Sequence, residues 1–246
     1  MKTAVEGERK NTVSSDSSTE QGGRPADRLV KLGITIAAAT VTAQSAAHLI
    51  GVRLLDDRYL HLNADDEHGL PAWLSSSATF TAAFAVLLLA LLREEVDRRF
   101  VALAALLAFF SLDDAVGIHE RLAEKVGGAL GYGDTAERLI WPVIYLPLLI
   151  VGVSLLLYVG RQLPDALERL LRWGLGFLAL AVVAEGFSTL LAAADVERGS
   201  WPDVLEVIVE EGAELAAWIL IATALFAAVL AILNEDRASE RRRPDA

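Results

Sequence analysis

Residues 100–122 read FVALAALLAFFSLDDAVGIHERL. The first eleven are apolar and look like the middle of a membrane helix. The continuation carries Asp113, Asp114, His119 and Glu120. An ionised carboxylate near the centre of a bilayer costs about 2.5–3.5 kcal/mol on insertion scales, so acidic groups at that depth are partnered, face a wet cavity or serve a function. Whether this stretch belongs to a membrane helix decides the fold, and its surroundings settle that.

The chain has 246 residues, 54% of them hydrophobic, and a mean hydropathy of +0.41, too apolar for an ordinary soluble domain. Crossing a bilayer takes about 20 apolar residues of helix. Six blocks qualify, over roughly 29–53, 73–92, 99–119, 139–160, 171–194 and 205–233. Alternating patterns of about ten residues, the mark of a membrane barrel, are absent, so the expected fold is an all-α integral membrane protein, a bundle of six transmembrane helices. Residues 1–27, rich in Ser, Thr, Gly and charge, read as a disordered tail, 28–233 as the transmembrane domain and 234–246 as a second polar tail. The absence of cysteine excludes disulfides, thiolate metal sites and Cys nucleophiles. No basic patch points to nucleic acid.

Lys and Arg set the orientation. With the N-terminus inside, the inner segments hold sixteen of them and the outer segments six: Arg53, Arg58, Arg121, Lys125, Arg138 and Arg198. Both termini are therefore expected in the cytoplasm, with the protein in the cell membrane. The third span then runs outward, and Asp113 lies about 14 residues, or about 21 Å, from its inner end. Glu185 in the fifth span reaches a similar depth. Glu206, Glu210, Glu211 and Glu214 occupy the outer part of the sixth. His48, His61, His68 and His119 all fall toward the same side.

These residues define the expected site. On the third span Asp113 and Glu120, seven apart, share one face. Glu206, Glu210 and Glu214 form a stripe of i,i+4 steps, which repel unless something neutralises them. Protonation, a metal ion, a water-filled cavity or Arg53, Arg121 or Arg138 reaching in would each do so. The leading reading is a divalent-metal site built from Asp113, His119, Glu120, Glu185, Glu210, Glu211 and Glu214. Its carboxylate-rich composition suits Mn, Fe or Ca better than structural Zn. If the metal is catalytic, it would activate water or oxygen on a lipid-phase or small cationic substrate, with Asp114 or a spare Glu as base and His119 as a further catalytic candidate. The same residues also fit a proton- or cation-coupled transporter, or a sensing or assembly protein in which the carboxylates are structural. The plain alternatives are Glu206 solvated among headgroups and His48 as a helix-end polar residue. H-E-x-x-H is absent because position 123 is Ala, and no G-x-S-x-G or phosphate loop occurs.

The chain resembles an uncharacterised group of bacterial polytopic membrane proteins. The shared elements are an acidic loop with Pro-Trp-Ser, here EHGLPAWLSS (67–76), then SLDDAVGIHE (111–120), a single Glu matching Glu185, and the late acidic LEVIVEEGAEL (205–215). The resemblance implies a membrane bundle and emphasises these residues, but implies no reaction.

Overall fold

A computed structural model gives the fold and describes residues 20–55, 63–64, 69–130 and 134–241. Among the described residues there are seven helices and no strand: α1 (Glu20–Leu54), α2 (Leu70–Leu91), α3 (Arg98–Val116), α4 (Ile118–Leu130), α5 (Asp134–Gly160), α6 (Asp165–Ala193) and α7 (Trp201–Arg241). Five of them, α1, α2, α5, α6 and α7, are long and apolar enough to cross a membrane; α3 and α4 are a bent pair that reaches this length and hydropathy only together, which makes the count six if the pair is one span. The apolar blocks thus became helices. Among the described residues the first helix reaches back to Glu20, and the last continues through polar residues to Arg241. Both polar stretches contain Glu, Arg and Ala, good helix formers that can extend a helix already nucleated by an apolar span.

The seventh helix is the axis of the bundle. It packs against α1, α2 and α6, while α3 packs against α2 and α5. In its apolar window 72% of residues are buried, against 17% in α1 and α6. A helix apolar on every side belongs in the centre of a membrane bundle. Close approach is obtained with a small residue on α1, since a Cβ at Gly33 would collide with the Thr223 side chain.

Contacts along the helices fix their directions. On α3 and α5, Asp97 meets Tyr158 and Asp113 meets Tyr145, so the two run antiparallel. On α2 and α3, Ser76 and Ser111 exchange hydrogen bonds to each other's carbonyls at 2.7 and 2.8 Å. At the proximal end, where α1 begins and α7 finishes, Asp97 caps α3 by accepting from the Arg99 N–H at 2.9 Å. The Tyr158 hydroxyl donates to the same carboxylate at 2.8 Å. The Arg99 N–H first and that hydroxyl second hold the Asp97 carboxyl below its ordinary range. The proximal half of the interior is filled by Val86, Leu103, Leu107, Leu156, Leu171, Ile221 and Leu225.

At the distal end the third span departs from expectation. It does not run through to residue 119. It stops at Val116, Gly117 adopts a left-handed φ of 61° and ψ of 48°, and α4 leaves from there. The Gly117 N–H closes the helix on the Asp113 carbonyl at 2.7 Å, the usual way a glycine ends a helix. The bend between the two helices is 76°.

Candidate functional site

The break explains much of SLDDAVGIHERL. Asp113 is buried at the C-terminal end of α3, and its side chain caps the next helix. Oδ1 accepts the His119 backbone N–H at 2.9 Å and the Tyr145 hydroxyl at 3.0 Å. Oδ2 faces the His119 Nδ1 at 3.1 Å. The His119 ring stands edge-on to Tyr145, with centroids 5.8 Å apart. One carboxylate thus serves a free helix N-terminus, a buried hydroxyl and an imidazole. A broken helix in a membrane bundle needs protein groups to satisfy its freed backbone in this way. Asp114 lies half-buried beside it on α3. Asp113 and Glu120 do not share one helical face, because the helix ends between them; the Glu120 side chain lies outside the described residues.

The acidic stripe of α7 also divides. Successive i,i+4 positions drift by about 40° around a helix with 3.6 residues per turn. Glu214 therefore faces α2, where its Oε1 accepts from the Ser75 hydroxyl at 3.2 Å and from the Trp218 indole N–H at 3.1 Å. Glu206 and Glu210 turn toward α6. There the side chains of Glu185 and Glu206 lie against that of Glu210. Glu206 is only 6% exposed, so it is not a solvated headgroup residue; it is the member of the site that the sequence reading left out. Glu211 is half-buried beside the trio.

Two carboxyl groups close to a third set a chemical condition. A carboxylate only accepts, so a carboxyl–carboxyl hydrogen bond contains a proton. Carboxyl groups in contact cannot all ionise without mutual repulsion. Above it, between α6 and α7, a cleft of about 350 Å³ opens at the distal end, lined by Ser188, Asp195, Arg198, Asp203, Glu206 and Val207 among others. Glu206 lies in both the cleft and the trio and connects them. Asp203 shapes the rim by accepting the Gly199 N–H at 2.8 Å.

The structure therefore places the expected residues in three groups, not one: Asp113 with His119 and Tyr145, Glu214 with Ser75 and Trp218, and Glu185 with Glu206 and Glu210. Among the described residues no group of three His, Asp or Glu side chains is arranged to hold a metal ion. Of the arginines named as neutralisers, Arg53 stacks over the Trp201 ring at 4.2 Å and Arg121 is exposed; Arg138 lies outside the described residues. His48 is buried on α1 and accepts the Ala64 N–H on Nδ1 at 3.2 Å, pinning the α1–α2 connection. His61 and His68 lie outside the described residues. Tyr145, Ser75 and Trp218 were not singled out in the sequence; Ser75 alone had a signal, its place in the shared Pro-Trp-Ser element.

Residues 32–229 match the family model described as a domain of unknown function (DUF8692), and the chain belongs to that family. The match begins within α1 and ends within α7, so it covers the bundle. No curated protein and no solved structure matches the chain.

Proposed function

We propose that this is a six-span membrane protein with both termini in the cytoplasm and a proton-binding site at its outward-facing end, through which the bundle responds to external pH. The observation that carries the reading is the approach of the Glu185 and Glu206 side chains to Glu210, across α6 and α7. The trio ties α6 to α7, and its proton is the bond. Loss of that proton leaves adjacent anions, which drive the two helices apart at the cleft. Among the described residues the proximal half is filled by packed apolar side chains, which favours a one-sided sensing or gating role over proton-coupled transport. Asp113 and His119 serve as the rigid frame of the distal end rather than as reacting groups.

A divalent ion is the rival occupant of the same carboxylates. The two are separated by thermal unfolding of the reconstituted protein across pH, with and without Mn²⁺ or Ca²⁺ after chelator treatment. Wild type should lose stability toward alkaline pH, and Glu210→Gln, whose amide supplies fixed hydrogens, should flatten that limb. A wild type stabilised by the metal in saturable fashion, with proton release on binding, would replace the proton reading with the metal one.

A further inference from the structure

The bent helix α4 has a face that neither the bundle nor the carboxyl trio accounts for. Its partner within the protein is α5 and, at the break, α3. The third helix has 19 residues, about 28 Å at 1.5 Å per residue, against a hydrocarbon core about 30 Å thick. Its C-terminal end therefore reaches the membrane boundary. A turn of 76° there sends α4 along the membrane surface rather than through it. The orientation is held by Gly117 and by the bonds from Asp113 to His119.

The residues of α4 are distributed as such a position requires. At about 100° per residue, Ala123 and Gly127 fall on one side and both are buried. About 100° to 140° further round come Leu122 and Ala129, which are exposed. Next along the circumference come Lys125 and Arg121, four apart and exposed, and beyond them the exposed Glu124. The order is protein, hydrocarbon, cation, anion. A helix with apolar residues on one flank and Lys and Arg at the edge above them lies at the headgroup level, its long cationic side chains reaching up from the acyl boundary. Two cations one helical turn apart are neighbours, and a guanidinium matches a phosphate with two parallel N–H donors.

We infer that α4 is an interfacial helix and that Arg121 and Lys125 form a binding site for the phosphate of an anionic phospholipid headgroup. The inference rests on α3 being a span; it is independent of the carboxyl trio and of which side the distal end faces.

Because the chain has no cysteine, single cysteines can be placed in the full-length protein at Leu122, Ala129 and Glu124 and spin-labelled in vesicles. Collision with oxygen should dominate at 122 and 129, and collision with a water-soluble nickel chelate at 124. Nickel access equal at all three sites would put α4 in water, and oxygen dominance at all three would make it part of a span; either result overturns the proposal. The phosphate assignment is read by thermal unfolding in phosphatidylcholine vesicles with and without phosphatidylglycerol. The anionic lipid should raise the unfolding temperature of wild type, and Arg121→Gln/Lys125→Gln should lose that shift while keeping the accessibility pattern of the 122 and 124 labels. An equal shift in both proteins, no shift in wild type, or the same protection from inorganic phosphate added to pure phosphatidylcholine would remove the lipid-phosphate site.

Discussion

Replacing Asp113 separates the capping role from a ligand role. Asp113→Ala removes three bonds: to the His119 N–H at 2.9 Å, to the Tyr145 hydroxyl at 3.0 Å and to the His119 Nδ1 at 3.1 Å. Side-chain hydrogen bonds in membrane bundles average about 0.6 kcal/mol and reach about 1.7. The expected loss is therefore about 2–5 kcal/mol, toward the upper part because the Tyr145 hydroxyl is left buried without its acceptor. Asp113→Asn keeps an amide oxygen for the His119 N–H and the Tyr145 hydroxyl, and its amide nitrogen can donate to Nδ1 once the imidazole carries its proton on Nε2. Its cost should stay near 1 kcal/mol. Tyr145→Phe removes one shared bond, so in a double-mutant cycle with Asp113→Ala the losses should fall short of additivity by about that bond, roughly 0.6–1.7 kcal/mol. The assay is reversible unfolding of the reconstituted protein by mixed-micelle titration. Asp113→Asn as damaging as Asp113→Ala, or strict additivity with Tyr145→Phe, would refute the account of the helix break.

Other outcomes follow from single positions. Gly117→Ala forces a side chain into the left-handed region and should cost about 1–2 kcal/mol, read in the same titration. Gly33→Val should loosen the α1–α7 crossing by about 1–3 kcal/mol of overpacking, partly relieved by Thr223→Ala, whereas Gly176→Ala, with open space around its Cβ position, should be neutral. Asp97 is held below its ordinary value of 3.8 by the Arg99 N–H and the Tyr158 hydroxyl. A depressed carboxyl contributes stability above its unfolded value, and this is lost as pH falls through the folded one. Asp97→Asn should therefore lower the unfolding temperature at neutral pH and flatten the acid limb below about pH 4, the variant and wild type converging in acid. For topology, a cysteine at Arg198 should label with an impermeant thiol reagent in intact cells and one at Glu95 should not.

The helices were legible because apolar blocks of membrane length have no other stable form in a bilayer. The break at Gly117 had a local signal, a glycine four residues after Asp113, but within an apolar run a single glycine is compatible with a continuous span. The site was legible as a depth and not as a contact map. Asp113, Glu185 and Glu214 do lie at the distal end, but which helix each one faces depends on tertiary packing. The 40° drift along α7 sends Glu214 to α2 and Glu210 to α6, and spacing alone shows the drift without showing the neighbours. Tyr145 left no trace because its partnership with Asp113 comes from the register of α5 on α3. Glu206 sat near a helix end, where a solvated carboxylate is the common case, and only the α6–α7 packing buries it.

The most direct measurement is the infrared spectrum of the reconstituted, chelator-treated protein at neutral pH, in the carboxylic acid C=O region. A proton shared among Glu185, Glu206 and Glu210 predicts a protonated-carboxyl band that shifts in ²H₂O, disappears in Glu210→Gln and persists in Glu214→Gln. A spectrum without that band, or a band that Glu214→Gln removes and Glu210→Gln leaves, would contradict the proton-sharing trio.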